Sequence, residues 1–181
     1  PPAEPPAAPV PARMAPSAAP LVAAGAWGPC MLLVDDDEII LEMASMVVQR
    51  TALPRVLHTA SDGEQALDLL TRDGALAYDL VLLDIQMPFM DGLECMRRLR
   101  AREGAAGRRR TFSVAVSANG DDDEFCGQCL DAGFDRATAK PLLPDKLLEL
   151  LRYAKEYAAA MTDSPARTSS NCSGVILPPD R

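Results

Sequence analysis

Short apolar runs and amphipathic helical patterns alternate five times along the middle of this chain, and that order restricts the fold more than any other feature. The runs have the length and composition of buried strands, and they lie at 31–34, 55–60, 80–83, 112–116 and 136–139. A helical pattern follows each run: to about residue 50, to about residue 74, over 93–99, over 121–132 and to about residue 159. This order predicts an α/β fold in which helices cover both faces of a parallel sheet.

The composition changes at both ends of this alternating region. Residues 1–29 are dominated by proline and alanine, a composition typical of an extended linker that cannot bury a core. Residues 160–181 are rich in serine, threonine and proline, and we predict a disordered tail there. One domain is therefore expected over 30–159. Because the chain begins with proline rather than methionine, we expect a processed chain or a fragment of a longer one.

Composition and charge exclude several classes of protein. The formal net charge of −8 argues against direct binding to nucleic acids or to anionic membranes. No apolar stretch reaches the roughly 18 residues of a membrane span, and the N-terminal sequence lacks the pattern of a signal peptide. The five cysteines stand at irregular positions, which without such a signal favours a reducing compartment. We therefore expect a soluble chain in the cytoplasm or the nucleus.

The third predicted strand ends in a carboxylate. The apolar run over 80–83 leads directly to Asp84. Pro88 prevents the strand from continuing, and Gly92 turns the chain before the next helical pattern. In open α/β sheets, ligands bind just beyond the carboxyl ends of the strands. Asp84 is therefore a candidate reactive group.

Other polar residues follow the neighbouring strands. Asp35 and Asp36 come directly after the first strand. Ser117 ends the fourth strand, and Lys140 follows the fifth. Parallel strands bring these ends to one edge of the sheet, where two carboxylates about 4 Å apart repel by roughly 4 kcal/mol at an effective dielectric constant near 20. Three acids in one pocket therefore need a cation, and carboxylate oxygens without histidine or cysteine nearby favour Mg²⁺.

The arrangement resembles the receiver domain of response regulators, the acceptor half of two-component phosphorelays. The resemblance covers about residues 30–157 and rests on ordered blocks: the acidic pair 35–36, the segment 78–88, the turn 90–92, the pair 117–118, the helix end 131–133 and the Lys140-Pro141 pair. It implies a flavodoxin-like (βα)5 fold, with a five-stranded parallel sheet of order 2-1-3-4-5 and helices on both faces.

The resemblance also implies a chemistry. Asp84 would take a phosphoryl group from a phosphohistidine on a histidine kinase or a histidine phosphotransfer protein, without acting as a turnover enzyme. Mg²⁺ would be held by Asp36 and Asp84, by Asp35 through water, and by the backbone carbonyl of Gln86. The ion would neutralise charge on the transferred group.

Two further residues have implied roles in the same family. Lys140 would form an ion pair with a phosphoryl oxygen, and its peptide bond to Pro141 is expected to be cis. Ser117 would donate its hydroxyl to another phosphoryl oxygen and draw its loop inward, which is the switch that carries the signal.

One position and one connection depart from the family pattern. Receiver domains usually have tyrosine, phenylalanine or histidine three residues before the lysine, and here that position is Ala137. No ring can swing from a methyl group, so we expect phosphorylation to cause a smaller change at the fourth helix than in relatives with a ring. The connection over 101–110 is long and basic, and we interpret its arginines, 108–110, as a solvated loop rather than a contact for an acidic partner or nucleic acid.

Several conspicuous side chains have ordinary explanations. Cys126 and Cys129 fall inside a helical pattern, so we expect structural thiols, with Cys129 facing the core, rather than a redox or zinc site. His58, the only histidine, falls on a strand, so the donor histidine is expected elsewhere. The spacing of Ser61 and Glu64 predicts a capping box, and the helical spacing predicts core positions for Met43, Met46 and Met96.

Two other functions are weighed against phosphoryl acceptance. A pseudo-receiver would keep the fold and act as an interaction module without exchanging phosphate. The pattern Asp35-x-Asp37 also occurs in Mg²⁺ phosphohydrolases of the haloacid-dehalogenase kind, but Ile39 stands where that family has threonine or valine. The sequence does not identify the partner kinase or the effector, and we expect either a stand-alone receiver or the C-terminal receiver of a hybrid histidine kinase.

Overall fold

A single parallel sheet organises the chain, as the sequence predicted. The computed structural model describes residues 29–51, 56–72 and 77–162. Its elements are β1 Cys30–Val34, α1 Glu38–Thr51, β2 Val56–Ala60, α2 Gly63–Thr71, β3 Leu80–Asp84, α3 Gly92–Ala105, β4 Ser113–Ser117, α4 Asp123–Ala132, β5 Arg136–Ala139 and α5 Pro144–Thr162. The strands lie in the order β2-β1-β3-β4-β5, and every neighbouring pair is parallel. The flavodoxin-like fold is confirmed.

Two apolar layers cover the sheet. Successive side chains of a strand point to opposite faces, so Leu32 and Val34 of β1 join one layer while Met31 and Leu33 join the other. The first layer contains side chains of α2, α3 and α4, and the second contains side chains of α1 and α5. Each fully buried leucine contributes about 1.5–3 kcal/mol relative to an exposed one, so the mainly aliphatic core is sufficient to hold the strand ends in place.

Some predicted helix ends are confirmed and others are corrected. Gly133 ends α4 in the left-handed conformation, with φ of 105°, as predicted. The cap of α2 is Asp62 rather than Ser61, because the Asp62 carboxylate accepts hydrogen bonds from backbone N–H groups of the first turn. The predicted connection over 101–110 was wrong for its first half, since α3 continues to Ala105.

The face that α1 turns to the core differs from the predicted one. Val48 is completely buried, and Leu41 packs partly buried against the same layer. Met43 and Met46 lie on the solvent side with 59% and 53% exposure, so their predicted core positions are wrong, whereas Met96 of α3 is buried as predicted. Apolar residues occur on several sides of α1, and helical periodicity alone could not select the buried side.

The arginines after α3 belong to the domain itself. Arg109 forms an ion pair with Asp79 at 3.1 Å, and Arg110 forms one with Asp135 at 3.1 Å. Arg108 donates a hydrogen bond to a backbone carbonyl at the end of α2. The three arginines are exposed, as expected of a solvated loop, but they also fasten the connection to the end of α2 and to the amino ends of β3 and β5.

The predicted linker and tail fall largely outside the described residues. The helix α5 extends to Thr162, slightly beyond its predicted end near residue 159. The linker expected over 1–29, apart from its last residue, and the tail after residue 162 lie outside the part of the chain that the structure describes. Within 29–51, 56–72 and 77–162, no helix has both the length and the apolar character needed to cross a membrane.

Candidate functional site

The ends of adjacent strands bring the predicted site residues to one edge of the sheet. The registers of β1 and β3 end level with each other, so Asp35 and Asp84 are neighbours across the sheet. The strands β4 and β5 end together at Ser117 and the residue before Lys140. The topology thus assembles four of the predicted side chains from four different strands, although they are up to 105 positions apart in sequence.

Lys140 connects the two buried carboxylates. Its Nζ lies 2.7 Å from Asp35 Oδ2 and 2.9 Å from Asp84 Oδ2. Both aspartates are 3% exposed, whereas the lysine is half-buried. A single ammonium group therefore faces two carboxylates that water can hardly reach. Together, the lysine and the two aspartates keep an excess of negative charge.

Asp36 adds a third carboxylate. Asp35, Asp36 and Asp84 each offer an oxygen, these oxygens lie within 4.8 Å of one another, and Asp36 is exposed. At about that spacing two carboxylates repel by roughly 3–4 kcal/mol at an effective dielectric constant near 20. Hard oxygen donors with one side open to water match Mg²⁺, which retains several water ligands in proteins. The residues present therefore fit the predicted ion.

Burial and the lysine act in opposite directions on the site's charges. Burial raises the pKa of Asp35, and the hydrogen bond from Lys140 only partly offsets that effect. Burial alone would lower the pKa of Lys140, but its hydrogen bonds to Asp35 and Asp84 outweigh burial and raise that pKa. The lysine is therefore a permanent positive charge, while the acids remain incompletely neutralised. A divalent cation would favour their ionised forms.

The loop between β3 and α3 folds back on the end of β3. The backbone N–H of Gln86 donates to Asp84 Oδ1 at 3.2 Å and so orients the carboxylate. A Cβ at Gly92 would lie 2.3 Å from the backbone carbonyl oxygen of Asp84, so this close approach requires glycine. Gln86 is thus adjacent to the acids, and the role of its carbonyl as a metal ligand stays a prediction.

Ser117 lies at the end of β4 with only 2% of its surface exposed. Its Oγ accepts a hydrogen bond from the Asn119 N–H at 3.3 Å, and its carbonyl accepts one from the Lys140 N–H at 2.8 Å. A hydroxyl that accepts one hydrogen bond can still donate its own hydrogen. The peptide bond between Lys140 and Pro141 is cis, as the resemblance implied.

Exposed apolar side chains beside the acidic site were missed by the sequence analysis. Ile39 in the first turn of α1 is 67% exposed, Phe89 in the β3–α3 loop is 80% exposed, and Leu143 before α5 is 60% exposed. Phe89 also has a φ of 68°, which is uncommon for a residue other than glycine. The available signal was a phenylalanine inside a turn otherwise marked by Pro88 and Gly92.

The cysteine pair and the histidine lie outside the site. Burial raises the pKa of Cys129 to about 11 and also raises the pKa of the half-buried Cys126, so both thiols stay protonated, as expected of structural cysteines. The Nδ1 atom of His58 lies 2.6 Å from the hydroxyl oxygen of Tyr78, and both side chains are buried. His58 is therefore a core histidine, as its strand position indicated.

Known proteins share both the sequence pattern and the fold. The two-component response regulator ORR41 of Oryza sativa subsp. japonica is 42% identical over 65% of this chain and 87% of its own length. The hybrid signal transduction histidine kinase L of Dictyostelium discoideum is 30% identical over 67% of this chain, but the match spans 7% of that kinase. The chain thus resembles most of a short regulator and one segment of a much longer kinase.

A solved structure agrees with these sequence matches. The receiver domain of the histidine kinase CKI1 from Arabidopsis thaliana, complexed with Mg²⁺ and BeF₃⁻, has a TM-score of 0.61 and 28% identity. The similarity covers 71% of this chain and 90% of that domain. The family model described as the response regulator receiver domain matches residues 31–152. With the fold and the acidic site in agreement, the chain belongs to the response regulator receiver domain family of two-component signalling.

Proposed function

We propose that this receiver accepts a phosphoryl group on Asp84 from a phosphohistidine of a partner protein. The observation that carries the proposal is the position of the Asp84 carboxylate, which one lysine contacts and two further carboxylates approach. Such an arrangement combines a nucleophile with positive charge and with oxygen ligands for a cation. Receiver domains are generally not turnover enzymes, and we assign this one the role of an acceptor.

The transfer forms one bond and breaks another. A carboxylate oxygen of Asp84 attacks phosphorus, the bond from phosphorus to the donor's imidazole nitrogen breaks, and the imidazole leaves with the electron pair. Mg²⁺, when held by Asp36 and Asp84, with Asp35 through water and the Gln86 carbonyl, would supply charge neutralisation for the phosphoryl oxygens. Asp84 then carries an acyl phosphate.

Two residues respond to the new group. Lys140 contacts Asp84 at 2.9 Å, so its ammonium can follow a phosphoryl oxygen with a small displacement. Ser117 donates its hydroxyl hydrogen to another phosphoryl oxygen, while its Oγ keeps the hydrogen bond from the Asn119 backbone. The loop after β4 therefore moves together with the serine, and this movement is the proposed switch.

The donor in this proposal is a histidine kinase or a histidine phosphotransfer protein. The only histidine of the chain, His58, is buried and hydrogen-bonded in the core. Apolar residues on the solvent side of α1, Ile39, Met43 and Met46, give a protein donor a surface to contact beside the acids. Because a histidine kinase takes its phosphoryl group from ATP inside the cell, we also propose a cytoplasmic location.

Phosphorylation by a small donor tests the proposal. The full chain is incubated with acetyl phosphate and Mg²⁺, and the intact mass and the modified residue are determined by mass spectrometry. We expect one phosphoryl group on Asp84, none after chelation of Mg²⁺, and none in Asp84→Asn. No incorporation into the folded wild type would contradict the proposal and indicate a pseudo-receiver. Repeated turnover of a phosphate ester would indicate a phosphohydrolase.

A further inference from the structure

Several small side chains lie between α4 and the sheet. Ala115 of β4 and Ala137 of β5 are paired in register, so their methyl groups stand side by side on the face that α4 covers. The helix contributes Cys129 and Ala132 to the same layer. We call these four residues the small-residue patch. Ala137 is only half-buried, so part of this apolar patch is not covered.

Phe125 is the aromatic residue of α4 and stands one turn before Cys129, on the same side of the helix. It is half-buried and packs against the same apolar layer as Ala137. It also lines a cleft of about 640 Å³, together with Ala118, Asn119, Asp121 and Asp122. The ring therefore lies between the small-residue patch and the loop that begins at Ser117.

Hydrogen bonds connect the first turn of α4, which carries this ring, to the loop. Asp122 caps α4 by accepting the Phe125 N–H at 2.8 Å, and the Cys126 thiol donates to the Gly120 carbonyl at 3.2 Å. Gly120 in turn donates to the Ser117 carbonyl at 3.2 Å. A movement of Ser117 is thus passed to the first turn of α4 through bonds that the structure already contains.

The loop also rests directly on β5. A Cβ at Gly120 would lie 2.1 Å from the backbone carbonyl of Thr138, so the loop and the strand are in contact through their backbones. Because no side chain separates them, an inward movement of Ser117 changes how the loop lies over β5 next to Ala137.

We propose that Phe125 is the ring that reports phosphorylation, and that it turns from the cleft onto the small-residue patch when the Ser117 loop moves inward. Covering Ala137 removes apolar surface of both residues from water, which favours the turned position. The inference rests on the proposed function of Asp84. It also differs from the expectation, based on Ala137 alone, that α4 responds weakly to phosphorylation. In this proposal the responding ring belongs to α4 instead of β5.

Tryptophan fluorescence tests this movement. The reporter is Phe125→Trp in the full chain with Trp27→Phe, since Trp27 is the only tryptophan. Mg²⁺ and beryllofluoride are added as the phosphoryl mimic, and ¹⁹F NMR measures the adduct in the same sample. We expect acrylamide quenching to fall and the emission to shift to shorter wavelength as the adduct forms. A tryptophan at the exposed Leu130 on α4, Leu130→Trp, is the matched control and should show neither change.

A variant of the patch sharpens the test. Ala137→Tyr, which fills the patch, should still form the adduct but should abolish the fluorescence change. If the tryptophan variant does not fold, NMR of the wild type gives the same readout, since a contact between the Phe125 ring and the Ala137 methyl group should arise only with beryllofluoride.

The outcomes separate the two proposals. An adduct that forms while the environment of residue 125 stays unchanged would overturn the role of Phe125 and leave the function of Asp84 standing. A chain that forms no adduct, although folded, would overturn the proposed function and this inference with it.

Discussion

The two ends of the central sheet hold charged side chains in opposite ways. At the amino end, the cations Arg100, Arg109 and Arg110 form ion pairs with the anions Glu103, Asp79 and Asp135. At the carboxyl end, Lys140 is the one cation of the described ranges that contacts Asp35 and Asp84, and Asp36 lies beside these two acids. The first end is electrically balanced and the second has two more negative than positive charges. The balanced ion pairs at the amino end stabilise the fold, whereas the excess negative charge at the carboxyl end attracts a cation.

Hydrogen bonding shows the same contrast. Arg100 donates to Glu103, Asp135 and the carbonyls of Thr111 and Gly133, and its side chain is 13% exposed. The Asp135 carboxylate also accepts the Ser113 N–H at 2.8 Å, which ties the starts of β4 and β5 together. The amino end therefore has its polar groups satisfied by the protein, and the first two predictions below alter one or the other end.

The largest effect is expected from breaking the balanced end. Arg100→Met leaves the buried carboxylates of Glu103 and Asp135 without their main partner. We expect a loss of about 3–5 kcal/mol in the free energy of unfolding, measured by urea denaturation. Arg110→Met, which removes a 42% exposed partner of Asp135, is the matched control, with a loss below about 1 kcal/mol. Equal losses in the two variants would show that burial of the pair does not matter.

Removal of the positive charge at the carboxyl end should have opposite effects on metal affinity and on the rate of phosphoryl transfer. Lys140→Met removes the only cation among the described residues that contacts Asp35 and Asp84. We expect the rate of phosphorylation by acetyl phosphate at saturating Mg²⁺ to fall about 100-fold, since a stabilising contact to the transferred group is lost. The affinity for Mg²⁺ should rise, because the competing ammonium is gone. An unchanged rate would remove Lys140 from the transfer step.

The smallest effect is expected from protonation of the buried His58, which lies in β2 between the two ends of the sheet. Burial, with the positive charge of Arg72, lowers the pKa of His58 from its usual 6.5. Below pH 6.5, His58 binds a proton more readily in the unfolded chain than in the folded chain. Acidification therefore destabilises the fold, by about 1.4 kcal/mol for each pH unit by which folding lowers the pKa of His58. Between about pH 7.5 and pH 5.5, the wild type should lose more unfolding free energy than His58→Phe. Parallel losses would show that His58 is protonated in the fold.

Much of the carboxyl end could be predicted from the sequence because its chemistry is local to strand ends. An apolar run followed at once by Asp84, or by Asp35 and Asp36, identifies both the strand and its functional residue. The parallel sheet then brings these residues to one edge, where Lys140 contacts Asp35 at 2.7 Å and Asp84 at 2.9 Å.

The amino end could not be predicted in the same way. Arg109 and Asp79 are 30 positions apart, and nothing in either segment indicates the other. The burial of α1 was also ambiguous, because the exposed Met43 and Met46 occur at helical spacing just as Val47 and Val48 do, and these two valines pack against the core. Long-range pairing and the choice between two apolar faces depend on the assembled tertiary structure, which a pattern of residues does not contain.

Binding of Mg²⁺ tests most directly whether the unbalanced end is a site for a cation. Isothermal titration of the metal-free chain should give saturable binding of one ion, and Asp36→Asn should weaken it strongly. Asp79→Asn removes the same charge from the balanced end and should leave the affinity unchanged. Absence of saturable binding in the folded wild type, or equal affinities in wild type and Asp36→Asn, would contradict the account.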